Sequence, residues 1–197
     1  MRSDYVSTIC PLLFRFVLHP DPAISQAACY GLGVCAKLTS PETDKETSDA
    51  LCQGFATLQQ ATIKWHARAQ RSREDTGDSK TPEQWVCDNT LSAQAKVFCK
   101  HYYNMPNLTG AIDAWLEYLP LRADTLEMVE VLEILCGFIR SENPHVRIFI
   151  TSRRMTVARA LVVQLRKFNR MVKVADHIER LVPLLPFINQ YIQQTLG

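Results

Sequence analysis

Apolar residues recur along most of this chain at intervals of three and four, the spacing that gathers them on one face of an α-helix. Val6, Ile9, Leu13, Phe16 and Val17 line a first helix, which Pro11 is expected to kink or restart. Asp21-Pro22 reads as an N-cap followed by proline at the first helical position, opening a second helix that runs to about Leu38. Leu51, Phe55, Leu58, Trp65 and Ala69 form the stripe of a long third helix ending near Gln70. Residues 71–81 are polar and carry no apolar face, which predicts a mobile loop. Thr81-Pro82-Glu83-Gln84 starts a fourth helix reaching about Tyr103. Leu108, Ile112, Trp115 and Leu119 mark a short fifth helix stopped by Pro120, and Leu126, Val129, Leu132, Cys136 and Ile139 a sixth. A seventh follows on Val157, Leu161, Leu165 and Phe168. The last carries Ile178, Leu181, Leu185, Ile188 and Ile192, bent by Pro183 and Pro186.

Eight helices in four pairs, joined mostly by short links, predict an all-α protein: an α-α superhelix of HEAT or armadillo type. Residues 1–145 would hold the repeats proper and residues 146–197 a terminal helix pair capping the solenoid. Such a fold works by presenting a surface, so a binding protein is expected rather than an enzyme.

Composition agrees and adds limits. At 47% hydrophobic residues the chain can fill a core. No run of about eighteen uncharged apolar residues could cross a membrane. The first residues lack a cleavable signal pattern. The seven cysteines sit in apolar helical positions without a C-x-x-C pair, as buried thiols of a reducing compartment do. Asn107-Leu108-Thr109 matches a glycosylation sequon that a cytosolic chain would never present to the enzyme.

Candidate chemistry is sparse. Gly31-Leu32-Gly33-Val34-Cys35-Ala36 satisfies the G-x-G-x-x-[GA] pattern of a dinucleotide site. That site needs a preceding strand and a helix that begins at the glycines. Here the helix has already begun at Pro22, so Gly31 and Gly33 read as points of close helix packing. Cys99 and His101 are neighbours in sequence, while His66, His145 and His177 are scattered. No C-x-x-C, H-E-x-x-H, G-x-S-x-G or P-loop occurs. No cofactor, metal or catalytic residue is therefore expected. Trp115 shares a stripe with Leu108, Ile112 and Leu119 and reads as core; Trp85, one turn into its helix, is less determined, with core the favoured reading.

Three blocks resemble the importin-beta superfamily of nuclear transport receptors, and within it the importin five subfamily. They are the stretch from Asp21-Pro22 through Gln26-Ala27-Ala28-Cys29-Tyr30-Gly31-Leu32-Gly33-Val34, the stretch Asp88-Asn89-Thr90-Leu91-Ser92-Ala93-Gln94-Ala95-Lys96-Val97, and Trp115-Leu116-Glu117-Tyr118-Leu119-Pro120-Leu121 followed by Asp124, Leu135-Cys136 and Ser141-Glu142-Asn143-Pro144. The resemblance covers residues 20–145, weakens from Val146 onward, and fails in residues 71–80. It implies the C-terminal HEAT portion of a longer receptor that binds protein cargo without catalysis. Such a receptor passes the pore on nucleoporin Phe-Gly repeats, shuttles between cytoplasm and nucleus, and releases cargo to Ran-GTP, bound through N-terminal repeats missing here.

Charge is segregated along the chain. Asp124, Glu127, Glu130 and Glu133 recur every third residue, an arc drifting around the sixth helix. As the second helix of its pair, this one would line the concave side of a HEAT solenoid. The arc could then attract basic cargo, or could simply be solvated charge on an amphipathic helix. After Glu142 nine basic residues from Arg147 to Arg180 face only Asp176 and Glu179. A nucleic-acid-binding helical repeat using that basic third is one alternative, although stacking aromatics are few there. A HEAT scaffold unconnected with transport is another.

Overall fold

The computed structural model describes residues 3–78, 80–140, 157–159, 162–163 and 185–196, and no strand occurs among them. The α-helices are α1 (Ser3–Phe16), α2 (Pro22–Leu38), α3 (Lys45–Thr76), α4 (Pro82–His101), α5 (Leu108–Glu117), α6 (Thr125–Arg140) and α7 (Leu185–Leu196), with a 3₁₀ turn at Tyr102–Asn104. Leu165, Phe168, Ile178, Leu181, Pro183 and the basic residues other than Arg159 beyond Glu142 lie outside the described residues. So does most of the expected terminal pair. Val157–Arg159 and Val162–Val163 are helical.

The helices begin where short polar side chains can accept otherwise unpaired amide hydrogens. Asp21 Oδ1 accepts from Ala23 N (2.8 Å) ahead of Pro22, and Asp44 Oδ1 accepts from Thr47 N (3.0 Å). Thr81 Oγ1 caps α4 through Gln84 N (3.3 Å), and Asn107 Oδ1 caps α5 through Gly110 N (3.3 Å).

Residues 71–76 correct the expectation of a mobile loop, because α3 continues through them to Thr76. A helix already nucleated upstream needs no apolar face to extend through residues such as Arg71, Arg73 and Glu74, which favour it. Gly77, at φ 71°, ends α3 as a left-handed C-cap, its N–H donating to Arg73 O (2.8 Å). The link to α4 shrinks to residues 77–81.

Helices α2, α4 and α6 form one row, with α4 in the middle. Helices α1 and α3 pack along that row and against each other, and α5 is anchored on α4. Two tryptophans tie outer helices to the row. Trp65 Nε1 on α3 donates to Ser25 Oγ on α2 (2.9 Å), and Trp115 Nε1 on α5 donates to Leu91 O on α4 (2.9 Å). Trp115 is core, as its stripe predicts, and its ring meets the edge of Phe98 at 5.7 Å.

Because α4 has neighbours on several sides, residues 86–98 are all buried, polar ones included. This α4 is not the amphipathic helix that a surface position would give. The stripe on α3 (Leu51, Phe55, Leu58, Trp65, Ala69) is buried as its spacing predicts. On α6, Val129, Leu132 and Cys136 are buried, but Leu126 is 54% exposed and Met128 takes an inward place instead. Helix α1 departs most. It runs without interruption through Pro11 and buries Cys10, with Val17 buried just past its end, whereas Ile9 and Phe16 remain partly exposed.

Candidate functional site

The four acids singled out on α6 do not form a free negative arc. Glu127 is buried, its carboxylate 2.5 Å from Lys96 Nζ on α4 and accepting a hydrogen bond from Ser92 Oγ. Glu130 reaches Lys37 Nζ on α2 (2.9 Å), and Lys100 Nζ donates to Lys37 O (2.5 Å). Asp124 caps α6, with Oδ1 accepting from Glu127 N (3.1 Å) and Oδ2 from Asn89 Nδ2 (3.1 Å). Glu133 is half-buried. Asp124, Glu127 and Glu130 thus join α6 to the rest of the row, and Glu127 in particular is no solvated charge. Lysines arriving from α2 and α4 were invisible in the α6 sequence; the contacts lie 31 to 93 residues apart.

A second polar device escaped the sequence reading. Asp88 is fully buried, and its Oδ2 accepts the backbone N–H groups of Arg122 (2.8 Å), Ala123 (2.6 Å) and Asp124 (2.9 Å). Its Oδ1 accepts from Gln84 Nε2 (2.8 Å). One carboxylate on α4 therefore fixes the chain entering α6. Burial pushes the Asp88 carboxyl up to about 6, against those hydrogen bonds, which favour the charged form. The only sequence signal was an Asp beside Asn89, in a helix whose other polar residues, Thr90, Ser92, Gln94 and Lys96, gave it no distinction.

The remaining candidates resolve into packing. Gly31 and Gly33 lie within α2, where an added Cβ would meet Leu13 Cδ1 of α1 at 2.9 Å and Lys96 Cδ of α4 at 3.1 Å. They are packing positions, as read, and no described strand leads into them. His101 is buried, with Nδ1 facing Ser48 Oγ (2.9 Å) and Nε2 facing Ala36 O (3.1 Å), and burial lowers its pKa. It links α2, α3 and α4 as a neutral ring. Six cysteines are buried, and burial lifts the Cys10 thiol to about 12. Cys99 is the exception and is exposed, contrary to the reading of all seven as buried. Among the described residues no cluster of three metal-ligating side chains occurs. Trp85 is half-buried.

Two surface features remain. An apolar groove of about 990 Å³ opens between α1 and α2, lined by Tyr5, Val6, Ile9, Leu13, Tyr30 and Val34, with Leu38 at its rim 63% exposed. It explains why the α1 stripe is apolar yet uncovered. The other feature is basic: Lys64, Arg68, Arg71 and Arg73 follow one another along the second half of α3, with Arg122 opposite in the loop before α6. No protein-family model matches the chain, and no solved structure matches it.

Proposed function

We propose that this chain is a length of HEAT-type solenoid from a nuclear import receptor of importin-beta type, and that it acts by binding protein cargo without catalysis. The observation that carries the reading is the row α2–α4–α6 with α1 and α3 packed along it. The three blocks that resemble that family meet this framework: two form α2 and the middle of α4, and the third runs through α5 into α6, its residues 141–144 lying outside the described ones. The groove between α1 and α2 adds support, since an inner repeat of a solenoid keeps an apolar flank where a terminal one carries a polar face. Contacts with Phe-Gly repeats, Ran-GTP release through other repeats and shuttling between cytoplasm and nucleus belong to the same proposal.

The cargo-contacting part of it narrows to Glu130 and Glu133: Asp124 and Glu127 serve the fold, whereas Glu130 meets Lys37 in a pair that solvent reaches and a basic cargo group can replace. The test is fluorescence anisotropy of a labelled Lys/Arg-rich import-signal peptide titrated with the chain at ~50 and ~150 mM salt. Binding should weaken with salt, and the double reversal Glu130→Lys, Glu133→Lys should weaken it about tenfold at low salt with helicity unchanged. Unaltered affinity in the correctly folded double variant would remove these acids from the cargo surface. Preferential capture of single-stranded RNA, with a steep salt dependence, would favour the nucleic-acid alternative.

A further inference from the structure

The basic stretch of α3 divides into used and unused charge. Lys64 Nζ donates to Leu18 O (2.8 Å) and His19 O (3.1 Å), and Arg68 Nη1 to Pro20 O (3.4 Å), so both hold down the link from α1 to α2. Arg71 Nε turns back to Ala67 O of its own helix (3.3 Å). Arg73 and Arg122 do neither. Both side chains are half-buried, yet neither guanidinium donates a hydrogen bond to another described residue. The ion pairs among the described residues, Lys37–Glu130 and Lys96–Glu127, lie elsewhere.

The fold brings these two arginines to one seam together with a histidine. His66 and Arg73 are seven residues apart on α3, which puts them on one face, two turns apart. The His66 ring stacks edge-on against Tyr118 at 5.0 Å, so the chain leaving α5 crosses that face. Four residues later the N–H of Arg122 is fixed by Asp88 at 2.8 Å, near the start of α4 and thus beside the end of α3. The charges feel one another. Burial lowers the His66 pKa, helped by Arg122 and then Arg73, and burial lowers that of Arg122, helped by Arg73. Asp88 acts on Arg122 in the opposite sense, but its oxygens are taken by backbone N–H groups and Gln84.

We infer that the seam between α3 and the 118–124 loop is a binding site for a phosphate-type dianion, gripped by the guanidinium groups of Arg73 and Arg122 with His66 as a third donor. Half-buried guanidinium groups with no hydrogen-bond acceptor among the described residues suit a tetrahedral oxyanion, which offers several acceptor oxygens to their planar forks. The neighbouring imidazole becomes a charge-assisted donor once the anion offsets the positive field. A phosphorylated side chain of a partner and free inorganic phosphate share this chemistry. The inference stands independently of the import reading, since it needs no cargo on α6.

The test is a proton–carbon NMR titration of the histidine rings of the intact chain, with inorganic phosphate against sodium chloride of equal ionic strength. His19, outside the seam, serves as internal reference. With phosphate the His66 midpoint should rise by about half a pH unit or more, because a nearby anion favours the protonated ring. Arg73→Gln and Arg122→Gln should each weaken phosphate binding about tenfold, while Arg73→Lys, which keeps the charge, should retain more of it. Arg122→Gln leaves the backbone N–H to Asp88 in place. Tighter binding of a phosphoserine peptide than of inorganic phosphate assigns the site to a modified partner; equal binding assigns it to free phosphate. A His66 midpoint that moves no more in phosphate than in chloride, or glutamine variants that bind as the parent does, would overturn the site. Loss of import-signal binding with the His66 response intact would sink the transport reading alone.

Discussion

Removing Lys96 is the sharpest challenge to the account of the α4–α6 contact. Its ammonium lies 2.5 Å from Glu127, and the two side chains are 4% and 8% exposed. At that separation and an effective dielectric near 20, the attraction is about 7 kcal/mol, and it is offset by the desolvation of both ions. The pair as a whole therefore contributes little net stability. Breaking it is another matter, because Lys96→Met strands a carboxylate with Ser92 as its remaining hydrogen-bond partner among the described residues. The expected cost is about 3–5 kcal/mol, which for a chain of this length lowers Tm by on the order of 10 °C. The double variant Lys96→Met, Glu127→Met places apolar groups on both sides and should recover most of the loss. Urea unfolding followed by circular dichroism on the parent, both single variants and the double variant gives the coupling directly. A loss below about 1 kcal/mol in Lys96→Met, or additive losses in the double variant, would show that solvent reaches the pair and that the burial reasoning fails.

Other consequences are more local. Asp88 holds its proton to about pH 6 when folded but ionises near pH 4 when unfolded. Its contribution to stability is thus fully present below about pH 4 and lost as pH rises to about 6, by roughly 3 kcal/mol. His101, lowered by burial, acts in the opposite sense, losing stability as pH falls below about 6.5. The difference between the parent and Asp88→Asn, measured from pH 4 to 7, isolates the aspartate, and parallel pH profiles would refute the assignment. Gly33→Leu should cost about 1–3 kcal/mol by forcing α2 from α4, whereas Gly137→Ala, with no described residue within 4 Å of the added carbon, should stabilise α6 by up to about 1 kcal/mol. Equal melting temperatures for these two glycine variants would contradict the packing described.

Local rules alone decided where the helices are. Asp21-Pro22 and Thr81-Pro82 start α2 and α4 because a cap and a proline act within a single turn, whatever surrounds them. The 3.6-residue stripe placed Leu51, Phe55, Leu58 and Trp65 inward for the same reason. Position in the array decided the rest. The polar residues Asp88, Asn89, Thr90, Ser92, Gln94 and Lys96 have the composition of an exposed stretch, yet they are buried because α4 has neighbours on several sides, and partners 31 to 36 residues away satisfy Asp88, Asn89, Ser92, Gln94 and Lys96. The acids of α6 look like a docking arc until lysines from α2 and α4 meet them. Arg73 and Arg122 look like ordinary surface charge until the 118–124 loop lies beside α3. Helix formation is governed by neighbours within four residues and is written in the chain. Whether a charge is solvated, paired or left waiting for a ligand depends on residues brought close only by folding, and that the tertiary structure alone determines.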